Sequence, residues 1–378
     1  MQLAVPRERA VGERRVAVTP DVVAKLSAVG FEVVLETQAG AGALFFDDAY
    51  AAKGASIAES AEAALSKADL VCKVQAPTAT EARELRPGSA VVSFLQPGAD
   101  LELVRVLAER QITAFSMDLL PRISRAQSMD ALSSQATVSG YQAVLVAATR
   151  LPRFFPLFMT AAGTVPPAKV LVLGAGVAGL QAIATARRLG AVVRAYDVRP
   201  AARDEVRSLG ATFVELELEA QEGEGGYARE QSEDFLARQR ELIGKEVAAA
   251  DVVITTAAIP GRKAPVLVTA DMVQAMSPGS LVVDLAAESG GNCELSRPGE
   301  EVAVGNVLVY GARNMPSTMA QHASFLYSRN VAELVALLVH DGALAPDFDD
   351  EIVAGTCVTH GGEVRHGPTR ALLEGAPA

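Results

Sequence analysis

The chain has 378 residues, half of them apolar, and a formal net charge of −11. That length predicts two domains of ordinary size, each with its own core. The acidic balance argues against nucleic acid and an anionic membrane surface as partners but leaves docking onto another protein open.

Three separated cysteines, Cys72, Cys293 and Cys357, form no CxxC pair. This fits a reducing compartment without a disulfide framework, and no cluster with metal-ligand spacing is present. The start, Met1–Arg9, carries charges where a signal peptide needs an apolar core. Runs such as Ala143–Ala148 and Val331–Val339 are far shorter than the roughly 20 residues of a membrane span, so the expectation is a soluble protein without membrane insertion.

In chain order, Leu3–Val5 reads as a strand and Pro20–Val29 as a helix, with Thr19 as N-cap and Pro20 at the first helical position. Gly30 ends that helix. Glu32–Glu36, Ala68–Val74, Ser89–Leu95 and Ile112–Met117 read as further strands, separated by helical segments such as Asp100–Arg110. The alternation predicts a parallel sheet covered on both faces. A polar stretch, Pro121–Ser134, follows, and then a helical pattern from Gln135 to Arg150.

A second α/β series opens with Lys169–Leu173, a continuous apolar strand of the buried parallel kind, and continues through Ala191–Tyr196, Thr212–Val214, Val252–Thr255, Leu281–Leu285 and Val307–Tyr310. After Gly311 comes a long helical run, Thr318–Val339, and a short tail with no fresh βα series. The tail is expected to pack back on the first domain. The expected fold is therefore α/β, with two Rossmann-like, doubly wound parallel-sheet domains: residues 1–132 plus 311–378, discontinuous in sequence, and residues 133–310.

The second domain carries strand, then Gly174-Ala-Gly176-Val177-Ala-Gly179, then helix. Gly174 permits the tight turn, Gly176 lets backbone approach a pyrophosphate, and Gly179 lets helix and strand pack closely. The pyrophosphate would sit at the N-terminus of the helix that the turn leads into, where free N–H groups and the dipole favour negative charge. Asp197, at the end of the next strand, is placed to bond the adenosine ribose and to repel a 2′-phosphate, favouring NAD(H) over NADP(H). Arg199, two residues on, weakens that inference, because a nearby arginine can accept a phosphate; a surface or pyrophosphate role is favoured for it, since Asp197 already occupies the discriminating position. Thr255–Gly261, with Ala257 and Ala258, should line the carboxyl edge of the sheet, where the cofactor runs. The acidic stretch Glu215–Asp234 reads either as a solvated insertion or as a flap with Tyr227 as its contact.

The polar stretch holds Arg122, Gln127, Asp130 and Ser133. Two readings are open for it. It can hold a nicotinamide ring by hydrogen bonds, or it can be a polar helix entry with Ser128 as N-cap and Asp130 favouring the dipole. Met129 and Leu132 read as core. A dehydrogenase acting on an alcohol or amine needs a positioned acid or base, often histidine. The four histidines, His322, His340, His360 and His366, all fall in the tail. Hydride exchange between two nicotinamides transfers no such proton and needs only alignment of two rings.

Arg122–Ser134, Leu171–Leu189, Val283–Cys293 and Gly226-Tyr227 closely resemble the NAD(H)-binding component of proton-translocating transhydrogenase, and the resemblance covers nearly the whole chain. It implies that Gln127 contacts the nicotinamide carboxamide, that Arg122 and Asp130 support the loop and cofactor with Ser133 nearby, and that Gly226 and Tyr227 close over the nucleotide. It further implies a homodimer that gives hydride to NADP(H)-site nicotinamide on a separate component, and a membrane component that couples this to proton movement. The chain would then be cytoplasmic, held at the inner face of the cell membrane through partner subunits. The shared-fold rival is alanine dehydrogenase. Arg14–Pro20 and Cys72–Val74 resemble its pyruvate-binding segments, with Arg15 and Lys73 at the matching positions. Gln96 stands where that family has a catalytic histidine, and Glu288 where it has an aspartate. Arg15 and Lys73 are accordingly read as inherited structural charges. A sensor or scaffold without chemistry is a third class, opposed by the Arg122/Gln127/Asp130 spacing.

Overall fold

A computed structural model describes residues 1–215, 233–258 and 263–375. The chain divides into two units, Met1–Gln135 with Pro316–Ala378, and Ala136–Met315.

The first unit is built on β1 (Gln2–Val5), β2 (Glu32–Glu36), β3 (Ser56–Ala58), β4 (Leu70–Gln75), β5 (Ala90–Phe94) and β6 (Thr113–Ser116), all parallel. Side chains alternate across it: Leu3, Val5, Leu70, Cys72 and Val92 enter one core, while Ala4, Val71, Val91 and Ala114 enter the other. With both faces covered, these strands are continuous apolar runs rather than alternating ones, as the sequence shows.

The second unit begins with a hairpin, β7 (Phe158–Thr160) and β8 (Gly163–Val165), and continues with β9 (Lys169–Leu173), β10 (Val192–Tyr196), β11 (Thr212–Phe213), β12 (Val252–Thr255), β13 (Leu281–Asp284), β14 (Glu301–Val304) and β15 (Val307–Gly311). Its seven-stranded sheet runs β11-β10-β9-β12-β13-β15-β14. Leaving out antiparallel β14, this is the doubly wound order 3-2-1-4-5-6, with the reversal between β9 and β12. In such sheets ligands bind in the crevice beyond the strand ends at that reversal.

The tail supplies a small hairpin, β16 (Val339–His340) and β17 (Ala343–Leu344), and then β18 (Cys357–His360) and β19 (Glu363–Val364). β18 pairs antiparallel with β6, which completes an eight-stranded order β19-β18-β6-β5-β4-β1-β2-β3. The tail thus joins the first unit by adding strands to its sheet. The expectation of purely parallel sheets is corrected at the outer edge of each. The helix Ala320–Leu337 buries Tyr327, Val331, Leu334 and Val335 in the first unit's core.

Local signals need two corrections. Thr19 stands at the N-cap of helix Pro20–Ala28 but makes no cap bond. Its buried hydroxyl instead bonds Asp21 and Ser328. The helix expected from Gln135 begins earlier, spanning Ala131–Arg150.

Candidate functional site

Strand β9 delivers the glycine turn to the reversal in strand order. Gly174 has φ +98, and a Cβ there would lie 2.7 Å from Thr256 Oγ1, so the position requires glycine. Gly179 is required by packing: its Cβ would fall 1.9 Å from the Gly174 carbonyl oxygen. Gly176 differs, since a Cβ there meets open space. It is the N-cap of helix Val177–Arg188, with no side-chain cap, and Val177 is exposed at the helix start. A helix start without a side-chain cap, at a glycine whose Cβ position is empty, fits a pyrophosphate.

Gly140 went unremarked in the sequence. It lies inside helix Ala131–Arg150, where a Cβ would sit 2.1 Å from the Ala178 carbonyl oxygen, so it lets that helix press on the start of helix Val177–Arg188. A glycine inside a helical pattern was its one local signal.

Asp197 follows β10. Its Oδ2 accepts the Ala175 N–H at 2.7 Å, tying the acid to the glycine turn, and its Oδ1 accepts the Arg199 N–H at 2.8 Å. Arg199 also folds its guanidinium onto the same carboxylate, with Nε and Nη2 each at 3.0 Å.

The strip after β12 is held from β13. Thr256 Oγ1 donates to the Gly174 carbonyl at 3.0 Å. Asn292 accepts the Ala257 N–H at 2.9 Å and donates to the Ala257 and Pro265 carbonyls. Ala258 is exposed beside it. Fully buried Asp284 organises the loop that carries Asn292, accepting from the Thr255 and Ser296 hydroxyls and from the Ala286 and Cys293 N–H groups. Glu288 accepts the N–H of Asn314 at 2.8 Å.

In the first unit, Ser124–Met129 is a 3-10 turn leading into helix Ala131–Arg150. Asp130, not Ser128, caps that helix: its Oδ1 accepts the Ser133 N–H at 2.8 Å and its Oδ2 the Ser133 hydroxyl at 2.5 Å. Met129 is buried as expected, but Leu132 is 41% exposed and is not core. Arg122 and Gln127 are exposed.

The turn is anchored from the tail. Arg125 makes a bidentate pair with Asp350 at 2.6 and 2.9 Å, and its hydrogen bonds hold the pKa of the Asp350 carboxyl at about 2. Buried Asn330 bridges the turn, donating to the Ser128 carbonyl and accepting the Ser134 hydroxyl, both at 2.8 Å. Gly226 and Tyr227 lie outside the described residues.

Arg15 and Lys73 are both buried against acids of the same unit. Arg15 bonds Glu13 through Nε and Nη2, and Gln135 through Nη1. Lys73 Nζ lies 3.3 Å from Glu81 and 3.7 Å from Glu8. Burial pushes the Glu8 carboxyl up. Burial also works to raise Glu13, but Arg15 outweighs it and Glu13 is held at about 2. A folded value below the ordinary 4.5 gives stability that is present above pH 4.5 and is lost as the pH falls toward 2. Glu13→Gln should therefore flatten the acid limb of unfolding between those values. It should also cost about 3–5 kcal/mol at pH 7, because the buried Arg15 charge loses its partner. Circular-dichroism melts across pH read both effects, and an unchanged acid limb would refute the assignment.

Gln96 is exposed in a left-handed conformation, φ 45. Histidine is absent from residues 136–315. Among the described residues, no group of three His, Cys, Asp or Glu side chains could hold a metal ion, and no helix is long and apolar enough to cross a membrane.

The strand order and the glycine turn at its reversal define the second unit as a Rossmann-type α/β fold. The chain belongs to the alanine dehydrogenase/PNT family, whose N-terminal-domain model matches residues 4–139 and whose C-terminal-domain model matches residues 143–367. It is 50% identical over 376 residues to an NAD(P) transhydrogenase alpha subunit chain of Rhodospirillum rubrum, covering 97% of this chain and 98% of that one. The crystal structure of transhydrogenase from Sinorhizobium meliloti matches with a TM-score of 0.88 at 45% identity, over 96% of this chain and 100% of that one. Alanine dehydrogenase of Mycobacterium tuberculosis is 31% identical over 96% of this chain and 94% of its own length.

Proposed function

We propose that the chain is the NAD(H)-binding component of a Re/Si-specific, proton-translocating transhydrogenase. The observation that carries this reading is the 50% identity, across nearly all of both chains, to a protein named as a transhydrogenase alpha subunit, against 31% to an alanine dehydrogenase. The residues agree with it. Gln96 cannot serve as a histidine acid or base, and Arg15 and Lys73 are each already paired with acids.

In this reading the second unit takes NAD(H). The turn of Gly174, Gly176, Val177 and Gly179 receives the pyrophosphate, Asp197 receives the adenosine ribose with Arg199 beside it, and Ala257 and Ala258 flank the nucleotide. On the first unit, Gln127 orients the nicotinamide carboxamide, supported by Arg122, Asp130 and Ser133. Bound NADH supplies the hydride, and no residue of the chain need take up a proton, because the acceptor is a second nicotinamide. NADP(H) sits on a partner component, and a membrane-spanning component couples the transfer to proton translocation. The chain is then cytoplasmic and peripheral at the inner face of the cell membrane.

A homodimer is included in the proposal. The hairpin β7–β8 supports it, because Phe158 and Met159, with Phe154 and Leu157 before them, are exposed apolar groups on one short segment. Sedimentation of the isolated chain reads the dimer directly. For the nucleotide, titration with NADH and NADPH by cofactor fluorescence should show clear preference for NADH, lost in Asp197→Ala. Equal affinity for both nucleotides would contradict the assignment.

A further inference from the structure

Asp197 and Arg199 together pose a problem of hydrogen-bond capacity. An ionised carboxylate offers about four lone-pair sites. Here four donors already use them: the N–H of Ala175 at 2.7 Å, the N–H of Arg199 at 2.8 Å, and the Nε and Nη2 of Arg199 at 3.0 Å each. The carboxylate is only 7% exposed, whereas the Arg199 side chain is 34% exposed.

The four donors are not equally replaceable. Ala175 belongs to the glycine turn, and the Arg199 N–H belongs to the backbone that leaves β10. Neither can withdraw without unmaking the loops that shape the site. The guanidinium can withdraw by rotating a partly solvated side chain. Its two donors form a fork on one carboxylate edge. The two hydroxyls of an unphosphorylated ribose present the same pattern, a pair of adjacent donors.

We propose that Arg199 is a displaceable occupant of the ribose seat: its guanidinium holds the edge of Asp197 that the adenosine ribose must take, and it swings away when nucleotide binds. This rests on the reading of the second unit as a nucleotide site, and it makes Arg199 a specificity-determining residue. For NADH, Arg199 is a competitor that must be displaced. For a 2′-phosphorylated ribose, the displaced guanidinium is the nearby cation that can meet the phosphate. One side chain therefore narrows the preference between the two nucleotides, by weakening NADH and rescuing some NADPH binding.

The test uses the intact chain and cofactor fluorescence. Arg199→Ala and Arg199→Met, the second keeping most of the aliphatic stem, are titrated with NADH and NADPH, and their folding is checked by melting. The guanidinium side of the pair is partly solvated, so its displacement costs on the order of 1 kcal/mol, and either variant should bind NADH about 2- to 5-fold tighter than the parent and NADPH more weakly. Weaker or unchanged NADH binding by folded variants would overturn the proposal and make Arg199 a nucleotide-gripping or bystander group. Failure of the parent chain itself to bind NADH would sink the nucleotide-site reading, and this inference with it.

Discussion

Gln127→Asn should lower the rate of hydride exchange from bound NADH by about 100-fold while changing NADH affinity far less, because small misplacement of a reacting ring costs rate before it costs binding. The substitution keeps the amide and shortens its reach by one methylene. Gln127 stands on a turn whose backbone is fixed independently of it. Asn330 bridges Ser128 and Ser134, the Arg125–Asp350 pair holds the flank, and Asp130 caps the next helix. A shorter side chain on a rigid support cannot follow the ring. Single-turnover exchange with a competent NADP(H)-binding component, set beside an NADH titration, separates the two effects. Equal losses in both, or an unchanged rate, would refute a positioning role.

Two glycines of the same turn should fail in different ways. Gly179→Ala places a methyl 1.9 Å from the Gly174 carbonyl oxygen, so the helix or the turn must move. A loss of about 3 kcal/mol is expected, seen as a lower melting temperature, together with loss of NADH binding. Gly176→Ala places its methyl in open space at φ −73, a conformation alanine adopts freely. It should melt within about 1 kcal/mol of the parent yet bind NADH at least about 100-fold more weakly, since the methyl stands where backbone meets pyrophosphate. Parent-like binding by Gly176→Ala would show that no pyrophosphate approaches there. Parent-like melting of Gly179→Ala would show that the close helix–turn contact is not required.

Much of the fold was legible because its strands are buried on both faces. Lys169–Leu173, Val252–Thr255 and Glu32–Glu36 begin and end where the apolar runs do. The antiparallel strands at the edges were not legible, although the parallel edge strand β11 was. β14 alternates between exposed and half-buried residues, and β18 is a four-residue strand whose partner β6 lies more than 240 residues earlier in the chain. Neither gives the continuous apolar signal that a central parallel strand gives.

The chemistry of the site shows the same division. The glycine turn has a local pattern, and its geometry follows from that pattern. Gly140 and Asn330 act on distant segments, so their partners cannot be read from the residues around them: one, marked only as a glycine inside a helical pattern, admits a backbone carbonyl from another helix, and the other spends both ends of its amide on a turn some 200 residues away. The cap was misplaced from Asp130 to Ser128 because both are good N-cap residues and only the start of the helix at Ala131 decides between them. The pairing of Arg199 with Asp197 is local, but a sequence reading assigns each residue to a ligand and so overlooks that they can satisfy each other.

The central claim is that this chain donates hydride from NADH to a nicotinamide held by another protein and acts on no small substrate of its own. The most direct measurement mixes the purified chain with an NADP(H)-binding transhydrogenase component, without membranes, and follows reduction of an NADP+ analogue at the expense of NADH. The same chain alone is assayed with alanine and pyruvate. The expected result is exchange in the mixture and no turnover alone. Alanine oxidation by the isolated chain would contradict the account in favour of a dehydrogenase, and absence of exchange while NADH demonstrably binds would contradict it in favour of a sensor or scaffold.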